Sequence, residues 1–219
     1  MSKSVRRPRK SPPRRTLANS VFVNCPFDLA YQGLFQAIVF TVIDCGFVPR
    51  CALEIDDSSE ARLDKIFRII GECRLSLHDL SRIELDEAHG LPRFNMPFEL
   101  GVFLGAKRFG DDSQRKKACL ILDSEKYRPQ KFLSDLAGQD MRAHRNEPKA
   151  LIRGIRDWLT TMTKRELPGG ADIHRRFLEF QSVLPTLASQ VRLKAEEVTF
   201  PDLYKLAATW LDETAADGA

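Results

Sequence analysis

The sequence predicts an α/β protein built on one doubly wound, parallel sheet of five strands in the order 2-1-3-4-5, followed by a C-terminal helical extension. Three observations predict it. Short apolar runs rich in Val, Ile and Leu recur at 21–25, 47–53, 75–80 and 118–122, with a further short one at 141–144. Segments with apolar residues at helical spacing separate them. After Gly170 the strand signal disappears. Alternation of this kind builds βαβ units, whose crossovers lay helices on both faces of a parallel sheet.

Each element has its own signal. Val21, Phe22 and Val23 start a buried strand that Pro26 ends. Leu34, Phe35, Ile38, Val39, Val42 and Ile43 recur at helical spacing, and Gly46 closes that helix. The run 47–53 is a second strand. Asp56, Asp57, Ser58 and Ser59 form a polar turn with N-cap residue types. Leu63, Ile66, Phe67 and Ile70 mark an amphipathic helix ending near Gly71. After the strand at 75–80 comes a polar loop, 81–94, containing Gly90 and Pro92. Pro97 suits the first turn of a helix running to about Arg108. The fourth strand, 118–122, and the fifth, 141–144, precede a helix marked by Leu151, Ile152, Ile155, Trp158, Leu159 and Met162. Pro168, Gly169 and Gly170 read as a hinge, and two helices follow near 171–193 and 201–213. The organisation is a basic tail (1–19), an α/β domain (20–165) and a helical extension (171–219).

Composition narrows the class. Of 219 residues, 43% are hydrophobic, enough for a buried core, and no apolar run approaches the length that spans a bilayer. The five cysteines, Cys25, Cys45, Cys51, Cys73 and Cys119, are odd in number and never at CxxC spacing. That predicts reduced thiols in a cytoplasmic protein, without disulfide framework or zinc site. The net charge of +4 hides a strong asymmetry. Lys3, Arg6, Arg7, Arg9, Lys10, Arg14 and Arg15 face no acid within 1–15; the remaining 27 basic residues are opposed by 30 acidic ones. The tail, which also holds three prolines, is predicted to be disordered. It is either a solvated leader or a loose electrostatic contact for nucleic acid or another acidic partner.

In open α/β sheets ligands bind beyond the carboxyl ends of the strands. That rule selects 24–28, 54–59, 79–82 and 123–126. Asn24 and Asp28 either line the crevice or cap the first helix, and Asp79 is either a site carboxylate or a loop cap. His78 reads as a half-buried strand residue. His89, His144 and His174 show no triad or metal spacing. Glu54 with Asp56 and Asp57 reads as a solvated acidic turn. Glu99 stands apart. The helix around it is apolar nearly all round, so an acid in its first turn needs a partner, such as Arg93, or a cleft to face. Gly101 and Gly105, poor helix formers, suggest close approach of a backbone or ligand there. No GxGxxG, GxxxxGK[ST], GxSxG or HExxH occurs, which disfavours ordinary phosphate loops, serine hydrolases and zincins.

The pattern Asn-x-x-Phe-Glu-Leu-Gly-x-x-x-Gly at 95–105 resembles a stretch of bacterial TIR-like domains described as predicted nucleotide-binding proteins. Its Glu-Leu-Gly element is also similar to that of nucleoside 2-deoxyribosyltransferases, which share a related flavodoxin-like fold. The opening strand through Phe27, and Leu77-His78-Asp79-Leu80-Ser81, fit both groups, so the resemblance covers about 20–160. The chain departs from the TIR pattern in having Met96-Pro97-Phe98 before the glutamate instead of Trp-Cys-x-x, and Cys25-Pro26-Phe27 instead of a Ser-rich start.

The resemblance implies a TIR-like NAD glycohydrolase or cyclase, an effector of bacterial defence against phage, that cleaves the nicotinamide–ribose bond. Glu99 would be its catalytic carboxylate, NAD its substrate rather than a cofactor, and no metal would be needed. It also implies a homo-oligomer that completes its pocket by self-association near 54–59. Asn24, Phe27, Asp28, Asp79, Ser81, Arg82 and Asn95 are the candidate pocket residues, and Arg50 and Arg93 the candidate phosphate holders. Two alternatives stay open: a nucleotide-sensing module without chemistry, and deoxyribosyl transfer between nucleobases.

Overall fold

A computed structural model describes residues 19–55, 57–83, 85–86 and 91–216. The basic tail, Asp56, His89 and Gly90 therefore lie outside the described residues. The sheet is five-stranded and parallel throughout, formed by β1 (Ser20–Asn24), β2 (Val48–Arg50), β3 (Leu75–Asp79), β4 (Ala118–Asp123) and β5 (Met141–Ala143) in the order β2-β1-β3-β4-β5. It is the doubly wound, flavodoxin-like arrangement. The helices are α1 (Gln32–Asp44), α2 (Arg62–Glu72), α3 (Asn95–Phe109), α4 (Pro148–Thr163), α5 (Gly170–Gln190) and α6 (Phe200–Ala216). A one-turn helix at Asp112–Arg115 and several 3-10 turns complete the set among the described residues.

Alternation along the strands divides the core. Val21, Val23, Leu75, Leu77, Leu120 and Leu122 pack toward α1 and α4. Phe22 points the other way, onto Ile66, Ile69 and Ile70 of α2 and Phe103 of α3. Strands buried on both faces need apolar residues at nearly every position, which is why these runs read as continuous rather than alternating.

The extension is a third layer of the same core. In α1 every residue from Ala37 to Val42 is buried, so the helix must be covered on two sides. The sheet covers one, and α5 and α6 cover the other. Phe40 of α1 lies 5.7 Å from Phe177, 5.3 Å from Phe180 and 6.0 Å from Trp210 (ring centroids). Arg176 clamps Asp44 at 2.7 Å. Of the two roles open to the extension, packing or partner surface, packing on the domain is what these contacts show. No described helix is long and apolar enough to cross a membrane.

Some boundaries differ from expectation, each for a local reason. The second strand pairs over only three residues. Pro49 lacks an N–H and suits an edge strand, and the chain turns at once through the bond from Glu54 N to Cys51 O. The polar turn does not cap α2: Asp57 accepts from the backbone and hydroxyl of Ser59, and the N-cap position is Ala61, without a side-chain bond. Part of the loop 81–94 is a small antiparallel hairpin pairing Leu85–Asp86 with Leu91–Pro92. Gly46, by contrast, takes the left-handed φ of +75° that its place after α1 requires.

The shared core makes a prediction. Phe180→Ala removes a fully buried ring between extension and domain and should cost about 3–5 kcal/mol. Urea unfolding followed by circular dichroism should remain a single transition. Two separate transitions would show that 170–216 folds independently.

Candidate active site

The carboxyl end of β1, the start of α2, the segment 92–94 and the start of α3 surround a cavity of about 460 Å³. Its lining includes Asn24, Cys25, Phe27, Arg62, Arg93, Phe94, Asn95, Met96 and Glu99. The Asn24 amide sets its floor. Nδ2 donates to His78 Nδ1 at 2.9 Å and to the Met96 carbonyl at 2.9 Å, so the amide orientation is fixed by an acceptor that cannot donate. His78 thus carries its proton on Nε2, which donates to Ser76 Oγ at 2.9 Å. Burial between Phe22 and Phe103 pulls the imidazole down to about 3, so it stays neutral.

Glu99 is the fifth residue of α3, one turn further in than expected, because the helix begins at Asn95. It is 7% exposed. Neither expected structural partner holds it: it is past the capping positions, and Arg93 turns away to Asp28. Among the described residues its carboxylate accepts no hydrogen bond. Burial raises it from the ordinary value to about 7, with only Arg62 pulling the other way. An unpartnered buried acid lining a cavity is the arrangement that catalytic carboxylates need and structural ones avoid.

The glycines of α3 do not act as expected. An added Cβ at Gly101 or Gly105 would meet nothing within 4 Å, so no backbone packs against either. Nor is the helix buried all round. Phe98 and Phe109, 52% and 86% exposed, lie on its solvent side, while Met96, Glu99, Leu100 and Phe103 face inward.

The other candidates separate into those at the cavity and those beside it. Asn24, Phe27, Arg93 and Asn95 line it. Asp28 does not. Its Oδ2 holds Arg93 at 2.8 Å and Arg82 at 3.1 Å, tying the hairpin region to the turn after β1, and it caps no helix. Arg50 is engaged by Glu54 and Glu72 at the sheet edge, which makes Glu54 a salt-bridge partner rather than part of a solvated turn. Asp79 and Ser81 are buried below the crevice. Asp79 accepts from Tyr31 Oη at 2.5 Å and from Ser81 N at 2.9 Å, and His144 Nε2 sits 3.0 Å from Oδ2, off the line of a hydrogen bond. Burial alone would raise the Asp79 carboxyl, but contacts with His144, Ser81 and Tyr31 outweigh it and hold it low. This fully enclosed group latches the ends of β3 and β5 to the turn before α1.

Two residues escaped the sequence reading. Arg62 opens α2, lines the cavity and has no hydrogen-bond or ion-pair partner among the described residues. Its signal was an arginine at a helix start just after a polar turn. Cys25 also lines the cavity, but burial first, then Asp79, Cys51 and Glu99, push its thiol well up, so it is not a nucleophile. No group of His, Cys, Asp and Glu among the described residues has the arrangement of a metal site.

No family model matches the chain, and no curated protein matches it.

Glu99 leaves a signature on stability. Its folded-state value lies above the unfolded one, so between about pH 4.5 and 7 the folded protein holds more protons, and stability falls as pH rises through that window. Glu99→Gln removes that cost and should stabilise the protein by up to about 3 kcal/mol at pH 8 with little change at pH 4. Melting curves at the two pH values check it; an equal or lower melting temperature at pH 8 would show that the carboxylate is paired.

Proposed function

We propose that the protein cleaves the N-glycosidic bond of a nucleotide, with Glu99 as the carboxylate that meets the ribosyl cation, and that the bond is the nicotinamide–ribose bond of NAD. The observation carrying this reading is the Glu99 carboxyl: buried, without a partner among the described residues, poised near neutrality and lining a cavity at the carboxyl end of the sheet. Support also comes from the likeness of 95–105 to the TIR-like and deoxyribosyltransferase stretch, in which the same glutamate acts on such bonds.

The chemistry is compatible with the geometry. Departure of nicotinamide, already cationic in NAD, needs no proton from the enzyme and leaves an oxocarbenium-like ribosyl group. A carboxylate in a cavity with few competing donors stabilises or captures that charge, and water or an internal nucleophile completes hydrolysis or cyclisation. Asn24 holds Met96, and with it the start of α3, against β1. Arg93 and Arg62 flank the cavity with positive charge suited to phosphate. A place in antiviral defence and self-association belong to the same proposal. In favour of self-association, Phe98, Gly101, Gly105 and Phe109 leave a largely uncharged strip on the solvent side of α3.

Incubating purified protein with NAD and measuring released nicotinamide tests the reading. The active form is the ionised acid, so kcat/KM should rise about tenfold per pH unit below neutrality and level off above an apparent value near 7. Glu99→Gln should lower turnover by about 10² or more while the protein stays folded. A rate that falls above pH 7 would instead mean proton donation to a neutral base, the deoxyribosyl-transfer chemistry. A wild-type protein that binds NAD without releasing nicotinamide would favour sensing.

A further inference from the structure

A second cavity, of about 640 Å³, adjoins the first; Phe27 and Arg62 line both. Its far wall is the segment from Val198 to Leu203, where the C-terminal extension begins its last helix. That wall is fixed: Thr199 and Asp202 bond each other across the first turn of α6, and Phe200 is buried against Phe35 at 6.0 Å. The C-terminal extension thus builds part of a cleft that opens onto Glu99.

The charges in this cleft are selective. Asp28 and Glu54 line it, but Asp28 Oδ2 is held by Arg93 and Arg82, leaving only its Oδ1 without a hydrogen bond, and Glu54 is held by Arg50. The cations are not matched in that way. Arg62 makes no hydrogen bond or ion pair among the described residues and is felt only at longer range by the Glu99 carboxyl; Lys65, one turn on, donates to the neutral Ile55 carbonyl at 2.5 Å and is felt at longer range by Asp57 and Glu60. Both stand in the first turn of α2, whose N-cap, Ala61, supplies no side-chain acceptor, so its amide groups also face that end. The junction between the cavities therefore favours an anion. On the α1 side, exposed Gln32 and half-buried Gln36, which accepts from Gln181 Nε2 at 3.4 Å, stand one turn apart beside the rings of Phe27 and Phe35, which meet edge to face at 5.3 Å. The Gln32 side chain makes no hydrogen bond among the described residues, its backbone N–H donating to the Leu29 carbonyl. Carboxamides beside aromatic rings suit a planar heterocycle with donors and acceptors along one edge.

We propose that this second cavity binds the base and phosphate of a nucleotide, the base between Gln32 and Phe27 and the phosphate at Arg62 and Lys65, with the C-terminal extension as an integral wall. The inference deepens the glycosidase reading, on which it rests only in making the substrate a ligand with two nucleoside units, one reaching Glu99. It also gives 198–203 a role in recognition.

Adenosine 5′-monophosphate is the probe. Calorimetric titration of the full chain should show saturable one-to-one binding. Gln32→Ala, an exposed change in the first turn of α1, should weaken it at least tenfold, and Glu99→Gln, which removes a negative charge felt by Arg62, should not weaken it. Bound nucleotide should slow amide exchange at 198–203. Absence of saturable binding overturns the proposal. So does an affinity unmoved by Gln32→Ala, a loss of binding in Glu99→Gln, or a segment 198–203 left unprotected. Failure here leaves the Glu99 reading standing; an intact nucleotide site on a protein that never releases nicotinamide removes that reading instead.

Discussion

The site depends on the amide of Asn24. Strand β1 ends there, and its two N–H groups reach the imidazole of β3 and a carbonyl in the first turn of α3. These bonds set α3 at a fixed depth against the sheet, and that depth decides how far Glu99 is withdrawn from water. Buried hydrogen bonds of this kind contribute only about 1 kcal/mol each to stability, but leaving their groups unmet costs more. Their value lies in position. Asn24 can serve both acceptors only if α3 starts where it does.

Three buried acids at the same end of the sheet show what separates structure from chemistry. Asp79 is enclosed by Tyr31, Ser81 and His144. Asp123 is held by Arg128 at 2.7 Å and by the Glu125 amide at 3.1 Å. Each has its charge compensated on the spot, and each fastens a strand end to a loop. Glu99 is also buried, though slightly less, and has no such shell among the described residues. Evolution of a stable fold alone gives no reason to retain it, because a Gln or Leu there would remove the desolvation cost.

Much of this was legible in the sequence. Parallel strands buried on both faces write themselves as continuous apolar runs, so the five strands and the order 2-1-3-4-5 are expected from their alternation with helical segments. Glu99 was legible as an acid in an otherwise apolar segment. What stayed hidden required the third dimension. Asp28, Arg50, Asp79 and Arg82 all sit at strand ends, where ligands bind, but sequence does not say whether a charge there meets substrate or another side chain. His144 lies 65 residues from Asp79 and has no motif. The glycines of α3 misled because glycine permits close approach without requiring it; at Gly101 and Gly105 nothing approaches. Arg62 and Gln32 have ordinary helix-start surroundings and gain meaning only when the cavities are seen to meet.

Titrating the Glu99 side-chain carboxyl directly, by ¹³C NMR on selectively labelled protein with Glu99→Gln used to assign the resonance, tests the account at its centre. A midpoint near pH 7 is the result the buried, unpartnered carboxyl requires. A midpoint at or below the ordinary glutamate value of about 4.3 would mean that the acid is solvated or paired, and that the cavity beside it is not built around its chemistry.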